Sequence, residues 1–156
     1  MSMLQLKRLL LFVILIINTL SAFSHTNDLK GIYSPKQMNH IDWDKAEKVT
    51  ILFEDNNFEP DELTIKKGKP YIFKMVNVGD RSHDFVDLNL FHNIIVKRLQ
   101  SDFGRINTHH IHSLYLKPDS SVSVYFVPHK SGEFDFFCSI SGHREDGMEG
   151  IIYIEN

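Results

Sequence analysis

From about residue 48 onward, apolar and polar positions alternate in short runs rich in Val, Ile, Phe, Tyr and Thr, separated by turn-forming residues. A period of two sends successive side chains to opposite faces of an extended chain, so the pattern predicts half-buried strands. Seven are predicted, over 48–53, 62–66, 71–78, 112–116, 121–127, 133–138 and 150–155, with turns at Asn56-Asn57, Lys67-Gly68, Gly79-Asp80, Pro118-Asp119 and Ser131-Gly132. That number of short strands suits an all-β fold, a Greek-key β-sandwich. One stretch departs from the period of two. Over 90–100, Phe91, Ile94, Ile95 and Leu99 are spaced as on one face of a helix, with Lys97, Arg98 and Gln100 among them, which predicts one short amphipathic helix inserted between strands. The loop 101–110 has no usable periodicity. Residues 25–47 are polar and aperiodic, an N-terminal arm or linker expected on the barrel edge.

The first 24 residues follow a third pattern. Lys7 and Arg8 precede an unbroken apolar run over 9–17, and small or polar residues follow around Ser21, Ala22 and Ser24. A basic start, a short apolar run and a small-residue exit make a secretory signal peptide. A spanning helix needs about 20 mostly apolar residues, and Asn18 interrupts this run earlier, so export with cleavage after Ser24 is expected over a retained anchor. The chain then divides into a signal peptide (1–24), an arm (25–47) and one β domain (48–156). The mature protein is expected in the periplasm, without stable membrane insertion.

Composition alters this picture little. A chain of 156 residues with 42% hydrophobic residues suits a single domain with a single core, and a monomer is expected. Seventeen basic residues are interspersed with twenty acidic ones, which leaves neither a basic stripe for nucleic acid nor a polybasic membrane patch. The lone cysteine, Cys138, matters more. In an oxidising compartment a leftover thiol pairs between molecules or reacts unless something occupies it, and a metal does so by holding it as thiolate. A buried, inert cysteine is the plain alternative. The residues that follow argue against it.

Cys138 opens the run Cys138-Ser-Ile-Ser-Gly-His143-Arg-Glu-Asp-Gly-Met148, which supplies a thiolate, an imidazole and a thioether at fixed spacing. Two His and one Cys with a weak axial Met form the blue-copper arrangement, since soft sulfur suits Cu(I) and imidazole suits both copper states. On the predicted strand 133–138, Phe134, Phe136 and Cys138 share a face, so Cys138 ends an inward aromatic row. Gly142 and Gly147 stand immediately before His143 and Met148, where a tight loop needs backbone freedom. The second imidazole must come from upstream. His83, which follows the predicted strand 71–78, is the candidate; a histidine in a polar surface turn is the alternative.

With these residues in place, the chain resembles the cupredoxins, the blue-copper family that includes plastocyanin, azurin, auracyanin and rusticyanin. The resemblance runs from about Val49 to the end. It rests on Phe58-Glu-Pro60-Asp-Glu-Leu63-Thr-Ile65-Lys-Lys-Gly68, on the segment from Asn77 to His83, and on Cys138-x4-His143-x4-Met148 followed by Gly150. The four-residue spacers are closer to auracyanin and rusticyanin than to plastocyanin. The resemblance implies one type 1 copper site with His83, Cys138, His143 and Met148 as ligands, and one-electron transfer between redox partner proteins. Asp84 departs from the pattern, since many members carry an amide or hydroxyl residue beside the first histidine.

Four protein ligands leave no open position for a substrate, so this centre is not expected to be an enzyme's active site. A Cys-His nucleophile pair is disfavoured too, because no residue orienting His143 is identified. The rival function is a copper carrier, for homeostasis or for delivery to an oxidase, with the same fold and ligands. Of the nine histidines, His109, His110 and His112 cluster and form a candidate second copper or zinc site, with a solvated polar loop as the plainer reading. A mature N-terminal His25 is a further candidate ligand. His40, His92 and His129 are expected at the surface.

Overall fold

The computed structural model describes residues 36–102, 104–106 and 111–156. The signal-peptide expectation, His25, His109 and His110 lie outside those residues. The strands are β1 (Glu47–Phe53), β2 (Phe58–Glu59), β3 (Glu62–Lys66), β4 (Tyr71–Asn77), β5 (His83–Asp87), β6 (Ile94–Ser101), β7 (Gly104–Ile106), β8 (Ser113–Leu116), β9 (Ser121–Pro128), β10 (Gly132–Phe137) and β11 (Glu149–Glu155). They form two mixed sheets, one in the order β2-β1-β4-β9-β6-β7 and the other in the order β3-β11-β10-β5-β8. β1 runs parallel to β4 and β11 parallel to β3, while the other pairs are antiparallel. The chain passes between sheets repeatedly, and the inward faces bury a common core, so the expected β-sandwich is the fold.

The core is aromatic at the end that matters for the site. Phe136 stacks on Phe85 with ring centroids 4.7 Å apart, and Phe58 meets Phe136 edge-on at 5.1 Å. All three are buried, and each contributes roughly 1.5–3 kcal/mol of transfer free energy. The seven predicted strands are all present with ends shifted by at most a residue or two. Residues 36–46 lie on the outer face of the six-stranded sheet rather than at a barrel edge. Trp43 meets Tyr125 of β9 edge-on at 5.6 Å, and Met38 is buried.

The helix expected over 90–100 is a correction. A single 3-10 turn, Leu90–His92, leads into β6, which pairs with β9 and β7. The buried residues of β6 are Ile94, Val96 and Leu99, and a bulge lies between Val96 and Arg98. The extra residue of the bulge moves the inward set from even to odd positions. The resulting three-residue step imitates a helical period, although Ile94-Ile95-Val96 is a β-branched run.

Gly150, on β11, shows how closely the second sheet packs. A β-carbon there would lie 2.2 Å from the Asp61 carbonyl oxygen and 2.4 Å from the Phe136 ring. Asp61 O also accepts a 2.8 Å hydrogen bond from Ile151 N, so the backbone cannot retreat without breaking it. Gly150→Ala is expected to cost about 3 kcal/mol or more of stability, read as a lowered urea midpoint. A wild-type midpoint in this variant would contradict the packing described.

Candidate metal centre

Cys138 is delivered by β10. Phe134, Phe136 and Cys138 occupy the inward face as the alternation predicts, and Cys138 is fully buried. β5 lies antiparallel beside β10 with Phe137 opposite Val86, so the start of β5 stands next to the end of β10. That start is His83. It is fully buried rather than in a surface turn, and it opens a strand rather than lying in the loop after β4.

The crossover from β4 to β5 is fixed by Asn77, whose amide is also fully buried. Its Nδ2 donates to the carbonyls of Arg81 at 2.8 Å and Leu116 at 3.1 Å, and its Oδ1 accepts from Gly79 N at 3.0 Å. A buried amide saturated in this way locks a loop, because each bond lost would strand a buried polar group. Asp55 holds the same loop from the β1–β2 turn. Its Oδ1 accepts from Asp80 N at 3.0 Å and Arg81 N at 3.2 Å. The carboxylate also lies 3.5 Å from His83 Nε2, a long approach without good hydrogen-bond direction. A carboxylate facing Nε2 favours the neutral tautomer with its proton there, the one whose Nδ1 lone pair would face His143.

His143 and Met148 arrive on the loop between β10 and β11. His143 N donates to Ile140 O at 3.0 Å, Met148 N to His143 O at 2.9 Å and Cys138 N to Met148 O at 3.0 Å. These bonds fold the loop back over its own strand end. Gly142 and Gly147 take φ of +86° and +103°, the left-handed region that the sequence pattern anticipated. Met148 is fully buried beside Cys138, and its backbone is tied to both His143 and Cys138.

His83 Nδ1 lies 3.2 Å from His143 Nδ1, and Cys138 Sγ lies 3.4 Å from His143 Nδ1. One ligand atom from each of the three residues falls within 4.8 Å of the others. An ion bonded to imidazole and thiolate at about 2.0–2.3 Å holds its donors roughly 3.3–3.8 Å apart, so the set is already spaced to share one. Two imidazoles and a thiolate in an apolar, buried setting suit copper. Burial lowers the basicity of His83, aided by His143 and Arg81 and opposed by Asp55, which favours the neutral ring, the form that can ligate a metal. Burial pushes the Cys138 thiol above its ordinary value, while the backbone amides of Asp84 and Ile140 pull the other way. Among the described residues, this is the one such cluster of His, Cys, Asp or Glu.

Asp84 makes a connection of its own. Its carboxylate accepts from Ser139 N at 2.6 Å and from Ser139 Oγ at 2.5 Å. Continuing the β5–β10 register by two residues sets Ser139 opposite Asp84, so the side chain prolongs the pairing where the backbone ladder ends. The backbone links between one imidazole-bearing strand and the thiol-bearing loop are thereby doubled by a charge-assisted pair. The positioning roles of Asn77 and Asp55 were invisible in the sequence; the Asn77 to His83 segment signalled the first only as part of a motif.

The other histidines stand apart from this cluster. His40, His92 and His112 are exposed, and His129 is half-buried with Nε2 3.3 Å from the His92 carbonyl oxygen. His112 lies in the candidate trio, whose other two members are outside the described residues.

Residues 9–152 match the family described as the cupredoxin-like domain. No curated protein sequence matches the chain. Among solved structures, reduced auracyanin from Roseiflexus castenholzii is 18% identical, with a TM-score of 0.52, over 71% of this chain and 98% of its own. A multicopper oxidase from Pseudomonas thermotolerans is 24% identical, with a TM-score of 0.58, over 73% of this chain and 31% of its own. A copper nitrite reductase from Nitrosomonas europaea is 11% identical, with a TM-score of 0.56, over 83% of this chain and 53% of its own. The chain thus spans nearly all of the small auracyanin and about a third to a half of the two enzymes; at these identities the likeness concerns the fold.

One equivalent of Cu(II) is expected to raise the melting temperature by several degrees, the result of at least about 2.7 kcal/mol when copper exceeds its dissociation constant a hundredfold. Cys138→Ser and His83→Ala should remove both the shift and the bound metal measured by elemental analysis, while His112→Ala should retain them. Full copper retention in His83→Ala would exclude His83 as a ligand.

Proposed function

The chain belongs to the cupredoxin-like domain family, and from that membership we propose that it is an exported, periplasmic one-electron carrier with a single type 1 copper held by His83, Cys138, His143 and Met148. The observation that carries the proposal is the closed, buried donor set. His83, Cys138 and Met148 are fully buried, and His143 alone retains a small exposed edge of 5%. Bound copper would supply Cu(II)/Cu(I) cycling, tuned by its axial ligand and by hydrogen bonding at sulfur.

The residues of the chain supply rigidity. Asn77 and Asp55 hold His83 from one side, and the Cys138–Met148 and Met148–His143 backbone bonds hold the loop from the other. Donors fixed in this way have little to rearrange when charge changes, which favours rapid electron exchange. The exposed edge of His143 offers a short route to a redox partner docked at this end of the sandwich. The buried donors leave a substrate no approach, which supports a carrier over an enzyme. The same closure favours electron transport over copper delivery, since an ion to be handed on must be reachable by an acceptor.

Asp84 adds a sign to the redox chemistry. Its carboxylate is bonded to Ser139, next in sequence to the thiolate, and a negative charge there favours the more positive copper state. In the many family members resembled here an amide or hydroxyl stands at this place, so this chain is expected at a lower potential than its Asp84→Asn variant.

Copper-loaded protein should show an intense visible thiolate-to-metal charge-transfer band that vanishes in Cys138→Ser, and should keep its copper through repeated reduction and oxidation. Release of the metal on reduction would favour the copper-carrier reading instead. In voltammetry, Asp84→Asn should raise the potential by roughly 60 mV or more, a tenfold change in a one-electron equilibrium. Met148→Leu should retain copper at a shifted potential; an unshifted value would remove Met148 from the ligand set.

A further inference from the structure

On the far face of the six-stranded sheet, between the 3-10 turn Trp43–Lys45 and the outward side chains of β1, β4, β6 and β9, lies a pocket of about 300 Å³. None of its lining residues belongs to the metal centre. Lys48, Lys74 and Arg98 bring three positive charges to it against the single carboxylate of Asp44, on a chain whose formal net charge is −3. Among the described residues neither Lys48 nor Lys74 has an ion-pair partner. A run of lysines on a sheet face is ordinarily just solvated, and alone would imply nothing.

Two further observations point to a ligand. Trp43 Nε1 and Arg98 Nε are both buried and have no hydrogen-bond partner. Both are donors, so the missing partner is an acceptor, and groups of this kind are paired in nearly all folded proteins. The β-bulge before Arg98 sends its side chain outward, where the guanidinium lies 3.8 Å from the centre of the Tyr125 ring. A guanidinium stacked in this way is held flat, and its planar N–H groups form a fork of the kind that matches a planar oxyanion. Trp43 and Tyr125, edge to face, supply an apolar wall beside that fork.

We propose that this pocket binds the oxyanion group of a small organic acid, a carboxylate or a phosphate, received by the Arg98 fork and the Trp43 indole N–H and flanked by the ammonium groups of Lys48 and Lys74. The volume is at the small end of ligand sites, which excludes a dinucleotide and suits a compact anion with a flat body. Asp44 disfavours a polyanion and so selects for a single acidic group. The site is independent of the metal centre and of the redox function proposed for it.

The chain has one tryptophan, so Trp43 itself reports occupancy. The full protein is titrated with benzoate and, separately, with inorganic phosphate at constant ionic strength, with sodium chloride as control. The indole N–H resonance and the tryptophan fluorescence are followed. A saturable shift with benzoate or phosphate and none with chloride is expected; tighter benzoate assigns a carboxylate with a flat body, and tighter phosphate assigns a phosphate group. Arg98→Gln should weaken binding by about tenfold or more, Arg98→Lys less, and Cys138→Ser not at all. Should Arg98→Gln fail to fold, the exposed pair Lys48→Gln and Lys74→Gln serves the same purpose. No saturation by either anion, an equal response to chloride, or unchanged binding in both sets of variants would overturn the proposal.

Discussion

The organisation of this protein depends on bringing a thiol and two imidazoles together where water is excluded. Three polar donors in an aromatic core are unfavourable unless each has a partner, and the surroundings are arranged to hold them until an ion supplies it. Phe85 and Phe136, each two residues from a donor, stack on each other in the core, and the buried Asn77 amide is satisfied by the backbone around the loop that leads to His83. The antiparallel pairing of β5 with β10 then decides everything else, because with Phe137 opposite Val86 it brings the start of one strand beside the chain that leaves the end of the other. A slip of one residue would turn His83 outward and leave Cys138 facing the core alone.

Second to that pairing is the short loop after Cys138. Its backbone bonds close on themselves, so His143 and Met148 are positioned by the loop's own geometry and by two left-handed glycines. The distant sheet edge need only hold still. The Asp84–Ser139 bonds join these two halves of the site, and the carboxylate's charge makes them stronger than neutral hydrogen bonds would be.

Much of this was legible in the sequence because it rests on local rules. The strand ending in Cys138, the glycines before the loop ligands and most other strands follow from alternation and turn chemistry. What stayed hidden was non-local. β5 was missed because two of its inward positions are His83 and Asp87, so the alternation exists in burial but not in polarity. β6 was misread because a bulge converts a period of two into a step of three. Asp55 reaches His83 from a turn 28 residues earlier in the chain, a relation that no local pattern encodes. The placement of Trp43 over Tyr125 likewise depends on how residues 36–46 fold back over the sheet.

The spacing of the donors along the chain divides the labour of the fold. Cys138 and His143 are five residues apart, while His83 and His143 are separated by sixty. For a flexible polymer, closing the longer of those loops costs about 2 kcal/mol more than closing the shorter. The C-terminal hairpin could therefore gather sulfur and one nitrogen almost unaided. It is the remaining nitrogen that demands a whole sandwich, and the two sheets act above all as the frame that carries a single ring across that distance.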